Sequence, residues 1–118
     1  DYGNAIANFK TVVQINKAAL AAEARYETAA CFLQLNKLGD AEKSAFETIN
    51  KSGSYDYWVT KAYILLGDVY YRQKDYFNAK ATFQSIVDNT LNNELKSEAQ
   101  AKLTKVLDDE AQSSKVGN

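Results

Sequence analysis

The sequence has no histidine, no proline and no methionine, and only one cysteine in 118 residues. Without histidine, the commonest general base and a leading zinc ligand are missing. With Cys31 alone there is no internal disulfide and no cysteine-based metal cluster. Its apolar helical surroundings predict a buried, inert thiol. Without proline nothing imposes a hard stop on a helix. Without methionine, residue 1 is not a retained start codon, so the chain reads as a processed product or a fragment of a longer array. Any targeting signal would then lie upstream. No apolar run reaches the ~18 residues of a membrane span. The net charge of -1 provides no basic field, which makes nucleic acid a poor partner. The five glycines are scattered and form no phosphate-binding loop. Ser52 and Ser54 have no histidine to activate them, and the acids do not fall at calcium-loop spacing. Asp108, Asp109 and Glu110 are adjacent, diverge by about 100° each on a helix, and read as a solvated helix end. No catalytic set, cofactor or metal is expected.

What remains is helical periodicity. Hydrophobic residues make up 46% of the chain, enough for one moderate core. The stretch from Thr60 to Leu91 carries the pattern most clearly. Tyr63, Leu66, Gly67 and Tyr70 recur at i, i+3, i+4 and i+7, and Tyr76, Ala79, Phe83 and Ile86 keep a similar beat. Lys74-Asp75 marks the break between the two helices. Gly67 sits in mid-helix at a cost of roughly 1 kcal/mol relative to alanine. That position predicts the close approach of another helix.

These residues resemble a tetratricopeptide repeat, a helix–turn–helix unit of about 34 residues. Tyr63, Leu66, Gly67, Tyr70, Tyr76, Ala79 and Phe83 stand at matching spacings. Tyr63 replaces the usual Trp, Ile86 the usual Ala and Leu91 the usual Pro.

The rest of the chain shows related spacing. Tyr2, Ala5, Phe9 and Val12 match the second helix of that unit, and Phe9, Phe46 and Phe83 form a ladder with a 37-residue step. Tyr26, Ala29, Ala30 and Leu33 precede Tyr63, Leu66, Gly67 and Tyr70 by the same step, which continues to Gln100, Leu103, Thr104 and Leu107. The close-packing position then reads Ala30, Gly67, Thr104. The middle helix fits less well and is expected to begin with an adjustment at Leu38-Gly39-Asp40. Extra turn residues are placed at Ile15–Leu20, Lys51–Asp56 and Asp88–Asn93.

Six helices are predicted, over 2–15, 21–36, 40–51, 56–73, 76–89 and 93–111. They form one repeat domain, 1–111, followed by a frayed tail, 112–118. The resemblance implies an all-α, right-handed superhelix of antiparallel helix pairs, an α-solenoid. Tyr70 is assigned to the core and Tyr71 to the open side. Trp58 either plugs the inter-repeat turn or forms an exposed contact.

The resemblance also implies a function: a scaffold that binds a peptide or protein segment in a concave groove. Groove positions carried over from the family are Glu27, Cys31, Gln34 and Leu35, then Lys61, Ile64, Asp68, Tyr71 and Arg72, then Glu98, Ala101, Lys102 and Lys105. The positions expected to carry partner binding are Glu27, Gln34, Lys61, Ile64, Asp68, Tyr71, Arg72 and Lys105. The carboxylate clamp of one family subset is absent, because its positions hold Glu27 with Cys31 and Ile64 with Asp68. The alternative is a structural or self-association unit, in which the end around Tyr2, Ile6 and Phe9 pairs with upstream repeats or another copy. The stretched turns and the Tyr-, Asn- and Lys-rich composition resemble bacterial envelope proteins of this family. That implies a periplasmic or outer-membrane-associated location, although a cytoplasmic one fits the residues equally well.

Overall fold

A chain without proline and with glycine confined to five positions is free to build long helices. The computed structural model describes the backbone of residues 2–116 and the side chains of residues 17–115. Among the described residues the fold is all-α. It has five helices and no strand: α1 (Tyr2–Gln34), α2 (Leu38–Lys51), α3 (Asp56–Arg72), α4 (Tyr76–Asn89) and α5 (Asn93–Val116).

One helix stands where two were predicted at the start of the chain. α1 runs for 33 residues through the expected break at 15–20. That stretch holds neither Gly nor Pro and leads into Ala18, Ala19, Ala21 and Ala22, the strongest helix formers. A turn there was inferred from residue counting alone, and nothing in the local chemistry makes one. Phe9 and the Tyr2–Ile6 end lie outside the described side chains. At the other end α5 continues to Val116, past the predicted stop at 111.

The two tight turns share one construction. In the first, Asn36 has φ 58°; in the second, Lys74 has φ 61°. Each turn folds back through matching backbone bonds: Lys37 N–H to the Phe32 carbonyl at 2.9 Å, and Asp75 N–H to the Tyr70 carbonyl at 2.9 Å. These equivalent residues are 38 apart, one more than the predicted step. α2 therefore starts at Leu38, directly after the Asn36 turn, without an adjustment at Gly39-Asp40.

The 38-residue offset governs packing in the hairpins. α4 buries Ala79, Phe83 and Ile86; α2 buries Ala41, Ala45 and Thr48. The phenylalanine ladder is thus not a structural one. Phe83 is 1% exposed whereas Phe46 is 40% exposed, with Ala45 in the buried place. The partner of Gly67 is correspondingly Ala29, which is buried, and not the half-buried Ala30. Thr104, the third expected close-packing residue, is exposed. Buried Thr48 is satisfied by donating its hydroxyl to the Ser44 carbonyl at 2.9 Å.

The helices pack as two layers. α1, α3 and α5 form one, with α1 against α3 and α3 against α5; α2 and α4 form the other and, among the described residues, do not touch each other. Two apolar clusters result. One joins Ala29, Ala41, Ala45, Leu65, Leu66 and Val69; the other joins Ile64, Ala79, Phe83, Ile86, Leu95, Ala99, Leu103 and Val106. Tyr70 packs against both, in line with its assignment to the core. Among the described residues no helix is long and apolar enough to cross a membrane.

Candidate functional site

The side chains collected on the α1–α3–α5 layer are charged or aromatic. Each comes from a helix face fixed by burial on the opposite side. α3 sinks Leu65, Leu66 and Val69 against α1 and α2, which leaves Lys61, Asp68, Tyr71 and Arg72 on or near the surface. α5 sinks Leu95, Ala99, Leu103 and Val106, which brings Lys102 and Lys105 towards α3.

At the centre, the Lys102 ammonium lies 2.8 Å and 2.9 Å from the two Asp68 carboxylate oxygens. Burial pushes the Asp68 carboxyl above the usual carboxylate range, against the lowering effect of Lys102. Tyr71 donates its hydroxyl to Asp109, and Lys105 lies 3.6 Å from the same carboxylate and 5.8 Å from the Tyr71 ring centre. The bond to Asp109 is the main reason the Tyr71 phenol is held above its ordinary value. Arg72 donates to the Leu33 carbonyl at 2.7 Å, near the end of α1. That places a cation where the α1 dipole is negative. Between α3 and α5, Asp68, Tyr71, Arg72, Phe83, Lys102, Lys105 and Val106 line a hollow of about 290 Å³.

A second group lies towards the start of α3. Tyr26 and Trp58 have ring centres 5.7 Å apart, Trp58 meets Tyr57 edge-on at 4.8 Å, and the Lys61 ammonium lies 5.2 Å from the Tyr26 ring centre. Burial pushes the Tyr26 phenol up to about 12, with the negative charges of Glu98, Glu27 and Asp68 adding to it. Trp58 is half-buried in this stack, between the two roles expected of it.

Of the predicted binding positions, Asp68, Tyr71, Arg72 and Lys105 come together around the hollow, and Lys61 joins the aromatic group. Glu27 and Gln34 are exposed on α1. Ile64 is placed differently. It is 3% exposed, packed in the cluster of α4 and α5, because its face of α3 is the one α5 covers. Cys31, expected to be buried, is exposed, because α1 turns its neighbours Ala29, Phe32 and Leu33 inward instead.

Sequence reasoning missed Asp109 and Glu110 as contact residues. The divergence of adjacent acids on a helix was the available signal. It aims Asp109 at Tyr71 on α3 and Glu110 at Lys80 on α4, the latter at 2.8 Å, while Asp108 faces solvent. Among the described residues no cluster of three metal-ligating side chains occurs. Comparison with protein-family models, with curated proteins and with solved structures finds no match to this chain.

Proposed function

We propose that the chain is a non-enzymatic protein-interaction scaffold of tetratricopeptide type, an α-solenoid that holds a peptide or protein segment on its α1–α3–α5 layer. The observation that carries this reading is the hollow between α3 and α5, where Asp68, Arg72, Lys102 and Lys105 present charges of both signs beside the Tyr71 ring. Contact within that layer, with none between α2 and α4, supports a curve towards it. A mixed polar face of this kind suits an extended or helical segment held by several modest contacts.

The test is affinity capture by the intact protein, compared with two double variants. Tyr71→Ala with Arg72→Ala removes contacts at the hollow. Glu27→Lys with Gln34→Ala alters exposed positions of α1 that carry no packing. Both are expected to reduce capture, the second with an unchanged melting temperature. Undiminished capture by both would refute binding on this layer.

A second reading, a structural or self-association unit, draws support from the exposed apolar side chains Leu20, Phe77, Leu91 and Leu107. Sedimentation equilibrium separates the two. A mass that climbs with concentration favours self-association, and a constant monomer mass favours the scaffold.

A further inference from the structure

A larger cleft, of about 830 Å³, opens away from the hollow, where α3 begins, α4 ends and α5 begins. Its walls include Asp56, Tyr57 and Tyr63 of α3, Asn89 and Thr90 at the end of α4, and Leu95 of α5. Among the described residues, Asp56 is the only charged one lining it. Tyr63 is 40% exposed; Tyr57, 43% exposed, meets Trp58 edge-on and has the Lys61 ammonium 5.8 Å from its ring centre.

The first hairpin shows what chemistry fills this position. Under the 38-residue offset, Tyr63 corresponds to Arg25, Asn89 to Lys51 and Thr90 to Ser52. Arg25 crosses from α1 to the end of α2, where its Nη1 donates to the Lys51 carbonyl at 3.3 Å and to Ser52 Oγ at 3.4 Å. Ser52 is buried beneath it. A guanidinium thus closes the first gap by meeting a carbonyl at the helix end and the hydroxyl beside it, at the negative pole of the helix dipole. In the second hairpin a tyrosine stands in place of that arginine, and the gap remains open.

We propose that the cleft binds an arginine side chain on an extended segment of a partner protein. Its guanidinium meets the carbonyl end of α4, where the chain leaves the helix extended at Thr90 rather than helical as at Ser52, and the Thr90 hydroxyl, which also accepts the Asn92 N–H at 3.2 Å. Asp56 supplies the opposing charge, and the Tyr63 ring supplies a face for a cation. The planar fork of arginine spans two acceptors at once, which the point charge of lysine does not. Leu91, almost wholly exposed at the rim, meets the apolar residue beside the arginine. This cleft shares no lining residue with the hollow of the proposed binding layer, and either assignment stands if the other fails.

The test is an NMR titration of the isotope-labelled full chain with the capped peptide Ala-Leu-Arg-Leu-Ala. Parallel titrations replace the arginine with citrulline, which keeps the shape and loses the charge. Saturable shifts are expected at amides of 56–63 and 85–95. The citrulline peptide should bind about tenfold more weakly, the scale of one lost charged hydrogen bond. Asp56→Asn should weaken binding at an unchanged melting temperature. Tyr63→Arg should raise the melting temperature and abolish peptide binding, because it supplies the guanidinium from within the chain. Equal binding of the arginine and citrulline peptides would overturn the proposal, as would the absence of a saturable shift. Shifts that depend on protein concentration alone would assign the cleft to a second copy and overturn it equally. If Tyr63→Arg does not fold, undiminished binding by Asp56→Asn is the refuting result.

Discussion

Gly67 and Phe83 meet closely in the core. A Cβ added at Gly67 would lie 2.5 Å from Phe83 Cζ and 2.9 Å from Cδ1, atoms of a ring that is itself buried. The equivalent pair in the first hairpin is Ala29 and Ala45, both fully buried. One hairpin puts a large residue against none, and the other puts two small ones together. Gly67→Ala should therefore destabilise the protein by about 1–2 kcal/mol, because overpacking outweighs the ~1 kcal/mol gain in helix propensity. The cost should shrink in a Phe83→Leu background, where the ring edge is gone. Denaturant unfolding of the four proteins in this double-mutant cycle measures the coupling. Additive effects would place the crowding elsewhere. The same pair explains what the sequence concealed. Phe46 looked like the counterpart of Phe83 because both are phenylalanines at a constant step, whereas burial follows Ala45. An alanine in a large residue's place carries no visible signal, so the periodicity slipped by one.

At the scale of elements, α3 and α4 were legible because their signals were strong. Leu66, Gly67, Ala79, Phe83 and Ile86 are all buried, and the Asp75 carboxylate accepts the Asn78 N–H at 3.1 Å as a helix cap. The start of α2 was misplaced because its cap is not a capping residue. Lys37 has φ -88° and ψ 77°, nearly the φ -87° and ψ 75° of Asp75, yet makes no side-chain cap bond. Lys37→Asn should thus gain about 0.5–1 kcal/mol, the usual worth of a capping side chain, without a second carboxylate beside Asp40. Chemical denaturation measures it, and no gain would mean that the matching backbone angles do not suffice for a cap. α1 was misread for the opposite reason: a turn was required by counting where the local sequence favours uninterrupted helix. On α3, Asp68, Tyr71 and Arg72 were positions implied by the family resemblance, and the structure brings them together around the hollow. Ile64 was misassigned because a position carried over from a family does not reveal which face the next helix covers.

For the whole molecule, α3 is the hub: it packs against α1, α2, α4 and α5. It contributes to both apolar clusters, through Leu65, Leu66 and Val69 to one and Ile64 to the other. Local stability follows such contact, so amides around Leu65–Val69 should exchange with solvent most slowly. Hydrogen-exchange mass spectrometry or NMR checks this, and greater protection in α5, whose far side carries exposed Thr104 and Leu107, would contradict it. The all-α class was readable from periodicity and the missing proline. The grouping of α1, α3 and α5 came from the family resemblance alone, because periodicity does not say which helix faces meet across the turns.

The unlike pairs Gly67–Phe83 and Ala29–Ala45 also govern how the two hairpins can be shuffled. A recombinant that crosses over between α3 and α4 of one hairpin and α1 and α2 of the other divides each pair. One product sets Ala29 against Phe83 and is overcrowded; its reciprocal sets Gly67 against Ala45 and is hollow. Crossovers at 52–55, between hairpins, keep each pair whole. Bulk in this chain is inherited by the hairpin, and the intact hairpin is its smallest exchangeable cassette.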